Sequence, residues 1–178
     1  MITSQEVYRE GAHKGIYMGV FLTVLSLLSL LSDRNPLLGI IVLPMIVSVP
    51  ALHFMLLRSA MRRYGGASFS ALWMLGITIF IGASMICALT TYCYLDFYDP
   101  DFFYRTATTM MEIMKNRPET VESYKAIKTI VDGGLLLSNI EFCVQMMLFT
   151  IFCGSLLTIV LIPFVRMRRN LPSKHFGD

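Results

Sequence analysis

Four stretches without a single Asp, Glu, Lys or Arg constrain this chain more than any other feature: Gly15–Ser32, Pro36–Leu57, Tyr64–Leu95 and Phe142–Val165. Each is about as long as the 17–25 residues a helix needs to cross the hydrocarbon layer, and the third is longer. Lipid offers no partners to backbone N–H and C=O groups, so a stretch immersed in it must satisfy them within itself, as a helix does. The expected fold is an all-α, integral membrane four-helix bundle forming one domain over residues 1–178, with spans at about 12–32, 36–57, 69–95 and 140–165. Charged residues are only 15% of the chain, against about a quarter in a soluble domain, which argues against a soluble bundle.

The remaining charge is unevenly placed. An up-down-up-down path puts the N-terminus, the 58–66 connection and the C-terminal tail on one side. That side carries nine basic residues, among them Arg58, Arg62, Arg63, Arg166, Arg168 and Arg169, against three acidic ones. The other side carries six basic and nine acidic residues. Positive charge near span ends resists translocation, so both termini are expected in the cytoplasm. The first fifteen residues mix acids and bases and no small-residue cleavage site follows the apolar run, so the first span is expected to stay in the membrane.

Local motifs mark helix ends. Thr3-Ser4-Gln5-Glu6 reads as a capping box, and so does Ser138-Asn139-Ile140-Glu141. Asn35 before Pro36 reads as a cap with proline at the first helical position. Gly65-Gly66 ends the second helix and Ser68 caps the third. Gly11, Gly15 and Gly19 recur every four residues, giving one face on which another backbone can approach closely. That face suits a dimer seam or packing against the chain's own helices, and the second is favoured. Pro44 and Pro50 predict a kinked second span. His53 reads as interfacial rather than as a proton relay, Lys14 as a snorkelling cation, and Pro163 as the end of the fourth span. Trp73 falls near the inner interface, and Tyr92, Tyr94 and Tyr98 near the outer one.

The one long hydrophilic segment, 96–139, lies between the third and fourth spans. Asp99 before Pro100 reads as a helix cap. Phe103, Ala107, Met110 and Met114 form one stripe, with Arg105, Thr109, Glu112 and Asn116 opposite. Pro118 begins a second helix, with Val121, Tyr124, Ile127 and Val131 inward, and Gly133-Gly134 stops it. The expectation is an extracytoplasmic amphipathic helical hairpin on, or standing above, the membrane face.

Chemistry finds little footing. The chain has no Gly-x-Ser-x-Gly elbow, no His-Glu-x-x-His and no paired-cysteine motif. Asp96, Asp99 and Asp101 could bind a divalent cation, but capping and solvation explain them better. The methionines, Met110, Met111, Met114, Met146 and Met147 among them, suit soft packing more than Cu(I). Glu141 sits at a span boundary, where its capping role accounts for it, and no span holds a carboxylate near its middle. Cys93 and Cys143 fall near the outer ends of neighbouring spans, where a disulfide is conceivable, though free packing thiols are favoured. No catalytic residue, cofactor or metal is expected.

Three motifs taken together have a familiar pattern: Lys14-Gly15-x-x-x-Gly19, then Arg62-Arg63-Tyr64-Gly65-Gly66-Ala67-Ser68-Phe69, then Tyr94 followed by Asp99-Pro100-Asp101-Phe102. Across nearly the whole chain this resembles a family of small four-span bacterial inner-membrane proteins known only as a domain of unknown function. The resemblance implies the same topology and a bacterial inner membrane, and it carries over no catalytic residue. Members of such families often serve as accessory subunits of envelope machinery, glycolipid assembly included. The expected role is a non-catalytic accessory or scaffold. Its partners would be the lipid bilayer and either a second copy of the chain or another membrane protein, with no nucleic acid. A small transporter or channel using the second span is the alternative, and a lipid-modifying enzyme comes third.

Overall fold

Short polar side chains set where the helices begin. In the structure, a computed structural model that describes residues 4–64, 67–115 and 120–167, helix α1 spans Ser4–Leu31 and α2 spans Pro36–Arg63. The Asn35 side chain accepts from the Leu37 N–H at 3.3 Å, with Pro36 at the first helical position. Ser68 accepts from the Ala71 N–H at 3.2 Å and opens α3, Phe69–Cys93. Two shorter helices follow, α4 (Phe102–Met114) and α5 (Val121–Asp132), and then α6, Asn139–Met167. At the start of α6, Ser138 N–H donates to Glu141 at 3.0 Å while Glu141 N–H donates back to the Ser138 hydroxyl at 3.4 Å. The end of α5 is closed by Gly134 at φ 64°, with Leu135 N–H on the Ile130 carbonyl at 2.9 Å and Gly134 N–H on Val131 at 3.2 Å. This left-handed stop favours glycine. The expectations resting on Thr3, Gly65-Gly66, Asn116, Pro118, Arg168 and Arg169 fall outside the described residues.

Among the described residues all regular structure is helical, and four helices are long and apolar enough to cross a membrane. The chain is a multi-pass membrane protein. These helices reach beyond the charge-free stretches: α2 runs past Leu57 to Arg63, and α6 passes through Pro163 to Met167. Charge marks where hydrocarbon ends, not where hydrogen bonding ends, and proline is tolerated in membrane helices when neighbours re-satisfy the freed carbonyl.

Helix α3 is the hub, packed against α1 on one side and α6 on the other. Glycine permits both approaches. A Cβ on Gly15 would stand 3.1 Å from the Ile79 carbonyl oxygen, and one on Gly19 would stand 3.2 Å from the Ala83 Cα. A Cβ on Gly11 would press on Thr78 at 2.7 Å. On the opposite side, Gly76 makes room for Thr158, and Gly154 makes room for the Phe80 ring. Lipid is no less apolar than leucine, so such close van der Waals contact takes over the part that water exclusion plays elsewhere. Hydroxyl pairs add to it: Ser26 meets Thr91 at 2.9 Å, and Trp73 Nε1 donates to Ser155 at 3.2 Å.

Helix α2 packs mainly on α1 and α6, leaving Leu37, Ile40, Leu43 and Val47 exposed. His53 is fully buried among the helices. It lies ten residues, about 15 Å, before the end of α2, because the helix continues past Arg58. All four cysteines are free.

Candidate functional site

A dense polar junction lies where α3 ends. A π-helical turn, Tyr94–Tyr98, follows α3 and closes with Asp99 N–H on the Tyr94 carbonyl at 3.1 Å. The wider turn changes the register by which Asp99 leaves the helix, and Asp99 ends up buried. Arg105, one turn into α4, grips it with a two-pronged fork, Nη1 to Oδ1 and Nη2 to Oδ2, each at 2.8 Å. Arg34, from the turn between α1 and α2, adds a contact to Oδ2 at 3.0 Å, and Arg105 also reaches Asp33 at 3.5 Å. The two guanidiniums lie over aromatic rings, Arg34 at 5.6 Å from Tyr98 and Arg105 at 5.9 Å from Phe102.

The junction corrects the reading of Asp99 as a helix cap. Asp101 occupies the cap position of α4 without a side-chain bond to the helix. Asp99 instead ties three elements together: the α1–α2 turn, the end of α3, and α4. The Arg105 fork, helped by Arg34, holds the Asp99 carboxyl below the usual carboxylate range, and Asp99 in turn raises the Arg105 pKa further. Within the motif, Pro100 and Asp101 are exposed. Phe102 leads an aromatic file through Phe103, at 5.4 Å, to Phe142 on α6, at 5.1 Å. Of the expected inward stripes, Phe103, Ala107, Met114, Tyr124, Ile127 and Val131 are half-buried, while Met110 and Val121 are exposed.

A second junction sits at the opposite end, between α1 and α2. Glu10 pairs with Lys14 at 3.3 Å and with Arg63 at 3.0 Å, and the Tyr64 hydroxyl donates to it at 3.5 Å. The Lys14 ammonium also bonds Ser59. Lys14 is therefore buried in the bundle rather than snorkelling, because a carboxylate one turn away and a hydroxyl on α2 replace its water. Only the Glu10/Lys14 spacing of four hints at this in the sequence. Arg62 and Arg63 are at this end, and Arg166 borders a cleft there with Met61, Ala67 and Ile162. Arg58 is half-buried one turn further in.

A third polar contact lies within the bundle. His53 Nε2 and Thr158 Oγ1 are 2.9 Å apart, and the Thr158 hydroxyl donates to the Gly154 carbonyl at 2.7 Å. Thr158 therefore accepts from Nε2–H, and Nδ1 carries the lone pair. The ring rests on Phe80 at 4.7 Å. Nδ1 has no hydrogen-bond partner among the described residues.

The glycines expected to form a packing face, Gly11, Gly15 and Gly19, all face α3. Among the described residues, no three His, Cys, Asp or Glu gather as metal ligands would. The charges of both junctions are paired, an arrangement that holds helices in place. A model of the family described as "Protein of unknown function (DUF4199)" matches residues 13–166. No curated protein and no solved structure matches the chain.

Proposed function

We propose, for a chain that belongs to this family of unknown function, a non-catalytic role as an accessory or scaffold protein of a bacterial inner membrane. The observation that carries this reading is the α4–α5 pair. The Asp99 junction anchors its first turn, yet neither helix buries a single residue. Met110, Ile113, Val121 and Ile130 remain exposed on it. A pair held firmly at one end and at most half-buried along its length suits presentation to a partner better than catalysis. In this reading α4 and α5 form an amphipathic hairpin on the extracytoplasmic side, the arginine-rich end faces the cytoplasm, and the partner is a second copy or another membrane protein. Envelope or glycolipid assembly would be the setting. Gly11, Gly15 and Gly19 are occupied by α3, so the partner surface lies elsewhere.

Two measurements test this. Ile113→Asp combined with Val121→Asp should lower recovery of the cross-linked partner or dimer from mild detergent about tenfold, with the protein still monodisperse. Unchanged recovery would count against the reading. Tags inserted at Gly65 and at Gly133 test the orientation: an impermeant reagent should reach only the Gly133 tag in intact cells, and labelling at Gly65 would reverse the drawing.

The alternative, a small transporter or channel, draws on His53, a titratable side chain buried in the bundle. That reading requires substrate-dependent flux in liposomes containing this chain alone, abolished by His53→Phe. The scaffold reading expects flux no greater than that of empty liposomes.

A further inference from the structure

Two recesses on the α3–α6 side share a wall. One is an apolar groove of about 540 Å³. Buried Ala88 and Cys143 form its floor, and Met85, Leu89, Ile140 and Val144 stand exposed at its rims. It follows α6 from Ile140 to Met147, about 10 Å at 1.5 Å per residue, which keeps it within the leaflet on the α4–α5 side. The other recess, about 430 Å³, continues from its outer end, with Tyr92 and Ile140 common to both. Here the lining becomes mixed, with Asp96, Tyr104, Ser138 and Asn139 among Phe103, Leu136 and Leu137, and no Lys or Arg is among its described lining residues.

We infer that the two recesses form one lipid site, with an acyl chain in the groove and an amine-bearing headgroup beside Asp96. The sequence of surfaces is that of a phospholipid: apolar along the depth of one leaflet, with polar groups at the boundary. The groove's length of about 10 Å seats the headgroup-proximal part of one acyl chain against Ala88 and Cys143, with the rest of the chain running on into the bilayer. A transmembrane helix, about 10 Å across, would fit poorly, because Tyr104 on α4 and the Leu136-Leu137 linker border the outer end of its path.

Charge selects the headgroup. Asp96 is exposed and has no ion-pair partner among the described residues. Glu141, bonded to Ser138 at the same rim, adds a second negative charge. The nearest cation in sequence, Arg105, is committed to Asp99 and Asp33. An ammonium meets complementary charge here, whereas an anionic headgroup without an amine meets hydroxyl and amide groups but no cation among the described lining residues. The contact is solvent-exposed, so the discrimination is that of a surface ion pair, about three- to fivefold.

Native mass spectrometry of the delipidated full chain tests the site, using phosphatidylethanolamine and phosphatidylglycerol with identical acyl chains. One phosphatidylethanolamine per chain should be retained, about three- to fivefold more tightly than phosphatidylglycerol. Asp96→Asn should erase the preference. Val144→Trp, at an exposed rim position that spares the core, should weaken retention of both lipids about tenfold by filling the groove. Equal retention by the unaltered chain, a preference that survives Asp96→Asn, or retention untouched by Val144→Trp would overturn the site. Free phosphoethanolamine binding as tightly as the lipid would overturn the role of the groove. Loss of a co-purifying protein or second copy in Val144→Trp, with lipid retention unchanged, would assign the groove to a helix instead.

Discussion

Gly154→Leu should cost about 3 kcal/mol of stability, read as a lowered midpoint in SDS titration of the detergent-solubilised protein. Gly39→Ala should leave that midpoint unchanged or raise it. The two glycines have similar helical backbones but different surroundings. A Cβ at Gly154 would enter the Phe80 ring, whose own retreat is blocked by His53 at 4.7 Å and by the buried wall behind it. A Cβ at Gly39 meets nothing within 4 Å, and alanine there lowers the entropy lost on folding by about 0.5–1 kcal/mol. Gly15→Leu should behave like Gly154→Leu, since the obstacle is the Ile79 backbone at 3.1 Å and backbone cannot rotate aside. Equal midpoints for Gly154→Leu and Gly39→Ala would remove α6 from its place against α3.

The second large effect concerns Asp99. Asp99→Ala should loosen the attachment of α4 by about 2 kcal/mol, roughly 30-fold in the local opening equilibrium, measured as faster amide exchange over residues 102–114. Removing one partner from a buried ion pair costs about 3–5 kcal/mol when the charge left behind cannot reach water. Here the loss is smaller because the Arg34 and Arg105 side chains remain 46% and 37% exposed. Asp33→Ala should change exchange by less than about 0.5 kcal/mol, since its one contact is longer and lies at the surface. The pH dependence follows from the same fork. Arg105 and Arg34 hold the folded Asp99 carboxyl below its unfolded value, which lies near 3.9. The contribution is complete above that value and is lost as pH falls through the lower, folded one. Protection of α4 should therefore be flat from about pH 8 to 5 and decline only below about pH 4, and Asp99→Asn should abolish the acid limb. A decline beginning near neutrality would assign the attachment to another group.

What could be read from the sequence follows from the range of the forces involved. The four spans were legible because lipid penalises every charge along a stretch, and the caps Asn35, Ser68 and Ser138 because a cap acts within three residues. The glycine repeat announced a close approach but not its partner, since Thr78, Ile79 and Ala83 lie more than sixty residues away. Lys14 read as a snorkelling cation because nothing near it names Ser59. The burial of His53 against Thr158 was not legible because Thr158 stands 105 positions further on. Asp99 before Pro100 looks like a helix start, and only the added width of the π-helical turn, which apolar periodicity does not encode, turns it toward Arg105. In each case the missing information was a neighbour brought in by the fold.

Helix α2 buries only 17% of its most apolar window, against 44% for α3. Its polar ties to the bundle, Arg63 to Glu10, Ser59 to Lys14 and His53 to Thr158, all lie in its second half. In the first half Val42 is the one buried residue among those described, and Leu37, Ile40, Leu43 and Val47 are left exposed. A change in bilayer thickness that a packed helix resists can be met by tilt, so the first half of α2 should follow the membrane around it more readily than α3 does.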